Sequence, residues 1–340
     1  MALADFQRID HFGDPAAEAT ACRTACALFD FSFLESTQVH GDGARQAVEA
    51  FTGRSIARLP IGQICYALRV AATGHVIADL TIWRTGVETF EVMSGRREDV
   101  ADLAAGAVSG VTVIQLDDRA VLALQGPASL DILRRLGDSD GIEALPYFRF
   151  IEASLDGIAC RIGRLGYTGE PGFEIICPDR AAERLWQVIA LYARPAGFIA
   201  LDMLRIEAGF VLFSNEFRLP ITPAEAGLGK FYQAAAPPRR IKLISFMADA
   251  DRMVWPWQPS GSLSPPSSAG EIVVTSACES VVAGGILGLG YALAEDEPGA
   301  PLRDRREIFR NIRQTPLPYY DTGKRRPRLP WHRFSDLSGS

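Results

Sequence analysis

Leu122-Ala123-Leu124-Gln125-Gly126-Pro127-Ala128, continuing into Leu130, Leu133 and Leu136, reads as a short apolar strand, a glycine turn and an amphipathic helix. Upstream, Gln38-Val39-His40-Gly41-Asp42-Gly43-Ala44 runs into a helical pattern ending near Phe51 and has the same grammar. Each stretch is followed by a Phe-Glu strand, Phe90-Glu91-Val92-Met93 in one and Phe173-Glu174-Ile175-Ile176 in the other. Gly41 lies 49 residues before Phe90, and Gly126 lies 47 before Phe173. A polar turn and a helix then follow in both, over 96–105 and 179–192. A duplicated α+β unit is the simplest account of two such segments at one spacing.

Around this pair the chain is that of a globular protein. Its 340 residues suggest two or three folding units, and 48% hydrophobic with 22% charged residues excludes disordered and fibrous classes. The net charge of −6 argues against a general nucleic-acid binder, which needs a basic face. Residues 301–340 carry ten Lys or Arg against four acids, so the charge is uneven. A solvated basic terminus is the plain reading, and a grip on an acidic partner the sharper one. The first residues, Met1 to Arg8, include Asp5 and Arg8 and lack the apolar core of a signal peptide. Val281 to Ala294 is the most apolar run, but at fourteen residues it is too short to span a bilayer, and its glycines suggest two short buried strands with a kink. Six dispersed cysteines and four histidines show no metal spacing, so reduced, buried thiols in a cytoplasmic protein without a metal are expected. Beyond residue 235 the segments Lys242–Met247, Glu271–Thr275 and the Gly-rich run are strand-like, separated by a Pro- and Ser-rich stretch over 248–270, which reads as a small barrel or sandwich.

Three segments could carry chemistry. Gly163-Arg-Leu-Gly166-Tyr167-Thr168-Gly169-Glu170-Pro171-Gly172 has glycine at every third position, implying backbone turns that side chains would not tolerate. It leads into a strand rather than a helix, so it is not a phosphate cradle. On that strand Glu174 is a carboxylate among apolar residues, and burial would demand a cation or a ligand presenting two adjacent N–H donors. Tyr66 to Trp83 reads as strand, turn at Thr73-Gly74, strand. Asp79 interrupts the second strand against its propensity, sharing a face with Trp83; it is either an edge residue in solvent or held in a site. Leu201-Asp202-Met203-Leu204-Arg205-Ile206-Glu207-Ala208-Gly209 reads as a helix capped by Gly209, whose charges form either a solvated cluster or part of a site.

Tyr167 to Ile175 resembles the signature of the folate-binding aminomethyltransferase family, the glycine-cleavage T-protein and its relatives. Five further segments resemble that family in the same order: Leu122 to Ala128, Leu204 to Gly209, Thr222 to Gly229, Gly270 to Ser276 and Leu317 to Arg325. The resemblance implies an α+β three-lobed cloverleaf, with two duplicated α+β lobes and a C-terminal β-barrel around a central folate channel. The expected divisions are 1–50 with 119–212 for the first lobe, 51–118 with 213–235 for the second, 236–325 for the barrel and 326–340 for a basic tail. Carried over by position, Asp79 matches the family's essential aspartate by folate N5. Tyr66 and Trp83 match its aromatic neighbours, Tyr167 the tyrosine near the pterin, Glu174 the glutamate on the pterin's amino-pyrimidine edge, and Arg205 the arginine of the Leu-Arg-x-Glu segment. Where the family usually shows two adjacent aspartates, this chain has Ala78 and Asp79. The implied activity is a tetrahydrofolate-dependent transfer of an aminomethyl or methyl group to folate N5 from a small donor, either free or carried on an acidic lipoyl carrier protein. No nucleic acid and no membrane are implied. The other function class is a non-catalytic folate-binding accessory protein of the iron–sulfur-maintenance type.

Overall fold

The computed structural model describes residues 9–137, 140–233, 239–251, 257 and 259–331. The expectations for Met1 to Arg8 and for 332–340 lie outside these. The chain enters with helix α1 (Pro15–Thr24) and strand β1 (Ala27–Asp30). It continues with β2 (Glu35–His40), α2 (Ala44–Thr52), β3 (Ile64–Val70), β4 (Val76–Gly86), β5 (Thr89–Ser94), α3 (Glu98–Ala105) and β6 (Thr112–Gln115). The same sequence of elements then returns as β7 (Arg119–Gln125), α4 (Ser129–Leu136), the short α5 (Asp140–Glu143), β8 (Phe150–Leu155), β9 (Ile158–Gly163), β10 (Gly172–Pro178), α6 (Asp179–Ile189) and β11 (Arg194–Pro195). Helices α7 (Phe198–Glu207) and α8 (Phe213–Glu216) lead to β12 (Ile241–Asp249), β13 (Glu271–Ser280), β14 (Gly285–Leu293), β15 (Arg303–Asp304) and β16 (Arg310–Thr315).

These strands form three sheets, ordered β3-β4-β5-β2-β6, β8-β9-β10-β7-β1-β11 and β15-β13-β14-β12-β16. Four strands of the first two repeat down to the register, β3-β4-β5-β2 as β8-β9-β10-β7, while β1 takes the place of β6 and β11 adds a parallel edge strand to the second. Val39 opposes Phe90 as Leu124 opposes Phe173, and Trp83 opposes Glu91 as Gly163 opposes Glu174. Ile64 opposes Trp83 as Phe150 opposes Gly163. The copies meet about a local two-fold axis. Ile64 N–H donates to the Phe148 carbonyl at 2.9 Å, Phe150 N–H donates to the Gly62 carbonyl at 3.0 Å, and Gln63 bridges Arg149 between them. Even a side-chain bond is duplicated: Arg84 Nη1 donates to the Leu59 carbonyl at 2.6 Å, and Arg164 Nη1 to the Leu145 carbonyl at 2.9 Å.

One boundary differs from expectation. β2 pairs with β5 and β6, so residues 35–115 make one continuous unit and the chain leaves the first lobe between Asp30 and Glu35 rather than at 50. The physical reason lies in the repeat itself, whose first strand must lie beside its own Phe-Glu strand in both copies. In the third sheet Gly285 to Leu293 forms a single nine-residue strand instead of two kinked ones. Gly288 is required by space, because a Cβ there would lie 2.3 Å from the Phe246 ring. A bridge from Leu302 to Ile312 draws the two edges of this sheet together. The basic segment after 325 is not solvated throughout: Arg326 pairs with Glu170 at 2.9 Å, and Trp331 stacks on Phe173 with centroids 5.2 Å apart.

Each duplicated sheet has two apolar faces. One packs on its own helices, with Leu80, Ile82 and Val92 under α2 and α3, and Leu122, Leu124 and Ile175 under α4 and α6. The other face of each turns toward a shared core that includes Ile64, Leu68, Trp83, Ile176, Leu201, Leu204 and Leu289 from all three sheets and α7. Strand alternation decides what enters that interior. On β4, Ala78 is fully buried among the residues beside the helices, whereas Asp79, Thr81 and Trp83 face the middle of the molecule.

Candidate functional site

Asp79 is half-buried on a strand flanked by two others, not on a solvent-facing edge. Its Oδ2 accepts the Tyr66 hydroxyl at 3.2 Å across the β3–β4 hairpin. Burial pushes the Asp79 carboxyl up to about 6, against the opposing hydrogen bond from Tyr66. Burial, reinforced by Asp79, holds the Tyr66 phenol well above its ordinary value, so it remains a donor. Tyr66 packs edge-on against Phe231 at 4.8 Å. Tyr167 lies close enough for its hydroxyl to act electrostatically on Tyr66, and it stacks on Phe210 at 5.8 Å while donating to the Val211 carbonyl.

Two glutamates of one motif have opposite surroundings. Glu170 is saturated by Arg23, Arg326 and the Tyr320 hydroxyl, tying α1 and the C-terminal segment to the loop. Glu174 is 6% exposed, and among the described residues no hydrogen bond or ion pair reaches its carboxylate. Burial alone pushes its carboxyl from 4.5 up to about 8. It acts electrostatically on Tyr147, whose phenol is pushed up to about 12 by burial, with Arg328 opposing and Glu174 adding to the shift. The strand pattern called for a cation or a ligand beside Glu174, and among the described residues no cation pairs with it.

Trp83 joins the two halves of the site. It is fully buried, donates its indole N–H to Thr81 Oγ1 at 2.9 Å, and tilts against Phe150 at 5.3 Å. Its ring edge occupies the space over Gly163, the residue opposite Glu174, where a Cβ would come within 2.3 Å. The strand carrying Asp79 is thus fixed against the strand pair carrying Glu174. Of the four glycines in the 163–172 loop only Gly169 has a left-handed backbone, at φ 82°; Gly166 and Gly172 are kept small by the Gln125 side chain.

Arg205 is placed behind the site. It is 0% exposed and holds Asp202 Oδ1 at 2.5 Å, Glu216 Oε2 at 2.8 Å, Ser276 Oγ at 2.7 Å and the Phe210 carbonyl at 3.2 Å. The charges of α7 are therefore a buried knot joining the duplicated sheets to the third, not a solvated cluster. The guanidinium acts on Asp79 and Tyr167 electrostatically. Sequence reasoning missed Thr81, Tyr147 and Glu216. Thr81 was legible, being two residues from both Asp79 and Trp83 on one face; Tyr147 and Glu216 are brought in only by tertiary packing. Among the described residues no group of His, Cys, Asp and Glu is arranged to hold a metal, and no helix is long and apolar enough to cross a membrane.

Fold and site together define an α+β protein of two like lobes and a third sheet, with a buried carboxylate and a Tyr–Asp pair on its internal faces. The GCVT N-terminal domain family matches residues 4–235, and the chain belongs to that family. An aminomethyltransferase of Rubrobacter xylanophilus is 33% identical over 328 residues, covering 89% of this chain and 86% of that protein. An aminomethyltransferase of Streptomyces avermitilis is 33% identical over 229 residues, 64% of this chain and 61% of that protein, so the aligned chain spans about three fifths of it. In fold, the glycine cleavage system aminomethyltransferase T from Bartonella henselae superposes with a TM-score of 0.75 at 23% identity, over 92% of this chain and 91% of that one.

Proposed function

We propose that the chain is a tetrahydrofolate-dependent one-carbon transferase, moving an aminomethyl or methyl group from a small donor to folate N5. The observation that carries this is Glu174, a buried carboxylate without a partner, on the same interior as the Tyr66–Asp79 pair. Its two oxygens suit the 2-amino and N3 donors of a pterin, and the Tyr167 ring offers an aromatic face. Bound there, tetrahydrofolate supplies the nucleophilic nitrogen that accepts the one-carbon unit. Glu174 orients the pterin, while Tyr66 holds Asp79 in one rotamer. Asp79, poised by burial near 6, stabilises developing positive charge or takes a proton at N5. Arg205, through Asp202 and Glu216, keeps Tyr167 and Asp79 in position. Ala78 does not enter this scheme, since it points toward the helices. The three sheets read as three lobes about a central channel, the third closing into a barrel. Six free, buried cysteines accord with a reducing, cytoplasmic setting.

The test is turnover of purified protein with tetrahydrofolate and methylamine-type or O-/S-methyl donors, free or carried on a lipoyl protein, followed by formation of 5-methyl or 5,10-methylene folate. Asp79→Asn keeps shape and removes charge. Folate should bind within a few-fold of the parent, while turnover falls by roughly 10²-fold or more, the scale of a positioned acid–base or charge-stabilising group. Undiminished turnover in Asp79→Asn would remove Asp79 from the chemistry, whereas a parent protein that binds folate without any turnover would move the non-catalytic, folate-holding reading ahead.

A further inference from the structure

The duplicated register assigns the paired residues of the four repeated strands counterparts in the other lobe. Glu91 occupies the position of Glu174, since each is the residue after the Phe of its strand and lies opposite Trp83 or Gly163 in the neighbouring one. Glu91 is also buried, at 1% exposed, but it is not free. Arg161 Nη1 reaches its Oε2 at 2.6 Å from the other lobe, and Arg119 Nη1 reaches the same oxygen at 3.0 Å. Arg161 lies over the Phe150 ring at 5.2 Å and is steadied on its outer side by Glu152 at 2.6 Å. Two guanidinium N–H groups, one from each arginine, therefore meet one oxygen of a buried carboxylate beside an aromatic ring, and among the described residues Glu174 has no such cations.

The counterpart of Arg161 is Thr81, because Thr81 opposes Met93 as Arg161 opposes Ile176, and Tyr66 opposes Thr81 as Glu152 opposes Arg161. The counterpart of Arg119, one step beyond the paired register, is Leu34. Neither of these side chains carries a cation. By the two-fold relation Thr81 stands toward Glu174 as Arg161 stands toward Glu91. We propose that Glu91 marks a second carboxylate site of the Glu174 kind, closed from within, in which Arg161 and Arg119 serve as built-in ligands and whose ligand class is a planar guanidine- or 2-aminopyrimidine-type edge. One ancestral pocket was kept open by a short residue at 81 and plugged by a long one at 161. The choice of ligand class leans on the role proposed for Glu174, but the test below reads no folate chemistry, so the two can fail separately.

The test is chemical rescue in the full chain. Arg161→Ala leaves a guanidinium-sized gap beside Glu91 and should lower Tm. Millimolar guanidinium, and separately 2-aminopyrimidin-4-one, should raise it again along a saturable curve as mass action requires, whereas ammonium at equal concentration should not. The same additives should leave Glu91→Gln/Arg161→Ala unmoved. Absence of a saturable rise in folded Arg161→Ala, or an equal rise in the double variant, overturns the proposal. Should Arg161→Ala not fold, Thr81→Arg reads the same symmetry from the open side. Its guanidinium should reach Glu174 and abolish the decline in Tm expected from that carboxyl between pH 4.5 and about 8. A decline that persists in folded Thr81→Arg overturns the proposal as well.

Discussion

Glu174 holds its proton in the folded chain up to about pH 8, whereas an unfolded glutamate loses it near 4.5. Across that window the folded state binds more protons than the unfolded one, so this group's share of stability is complete below pH 4.5 and is lost as pH rises through about 8. A ligand with two N–H donors needs the ionised form, so binding near neutral pH should expel about one proton. Calorimetry of tetrahydrofolate binding in buffers of different ionisation enthalpy counts that proton, and Glu174→Gln should remove it. The same variant should weaken binding by about 1.5–3 kcal/mol, the range for hydrogen bonds to a charged group. An unchanged dissociation constant, or a proton count that survives in the variant, would refute the assignment. At this scale the sequence was informative where a residue violates its surroundings: a glutamate or aspartate inside an apolar strand is visible in one dimension. Whether such a residue finds a partner is not, and that is why Glu91 and Glu174 look alike on paper.

Helix α7 shows what one-dimensional pattern loses. Its charges sit among apolar residues on every side, because α1 covers it from one direction and β13 from another, and all but its first two residues are buried. Periodicity reports an exposed face only when one exists, so Asp202, Arg205 and Glu207 gave no sign of being interior. Removing Arg205 would leave Asp202 and Glu216 buried without their cation. Arg205→Met should therefore destabilise the chain by about 3–5 kcal/mol, the scale for breaking a buried pair from one side. Denaturant unfolding measures this, and a loss below about 1 kcal/mol would show that water reaches the knot. The hairpin β3–β4 was by contrast readable in full, because Thr73-Gly74 sets its turn and alternation sets its faces.

At the scale of the molecule, the duplication was legible from spacing, and the register confirms it residue by residue. The division at 50 was not, since contiguity in sequence says nothing about which neighbour a strand chooses. The two lobes are held to one relative placement by the Trp83 ring lying over Gly163, a large residue and its small counterpart meeting near the axis. Gly163→Ala should cost about 1–3 kcal/mol through overpacking, and Trp83→Phe in the same chain should return part of it. Strict additivity of the two changes in a double-mutant cycle would mean that the contact does not fix the lobes. The docking of the last described residues has a further meaning, in time rather than in space. Arg326 completes the partners of Glu170, Arg164 donates to the Pro327 and Leu329 carbonyls, and Trp331 lies on Phe173 within the first lobe's own core. During synthesis that lobe waits for residues made more than a hundred positions after β10, while the lobe of 35–115 has all its strands early. A nascent chain exposed past residue 115 but not yet to Trp331 thus holds every strand of one lobe and lacks the last core residue of the other. The lobe that begins first in the sequence is the one whose packing is completed last along it.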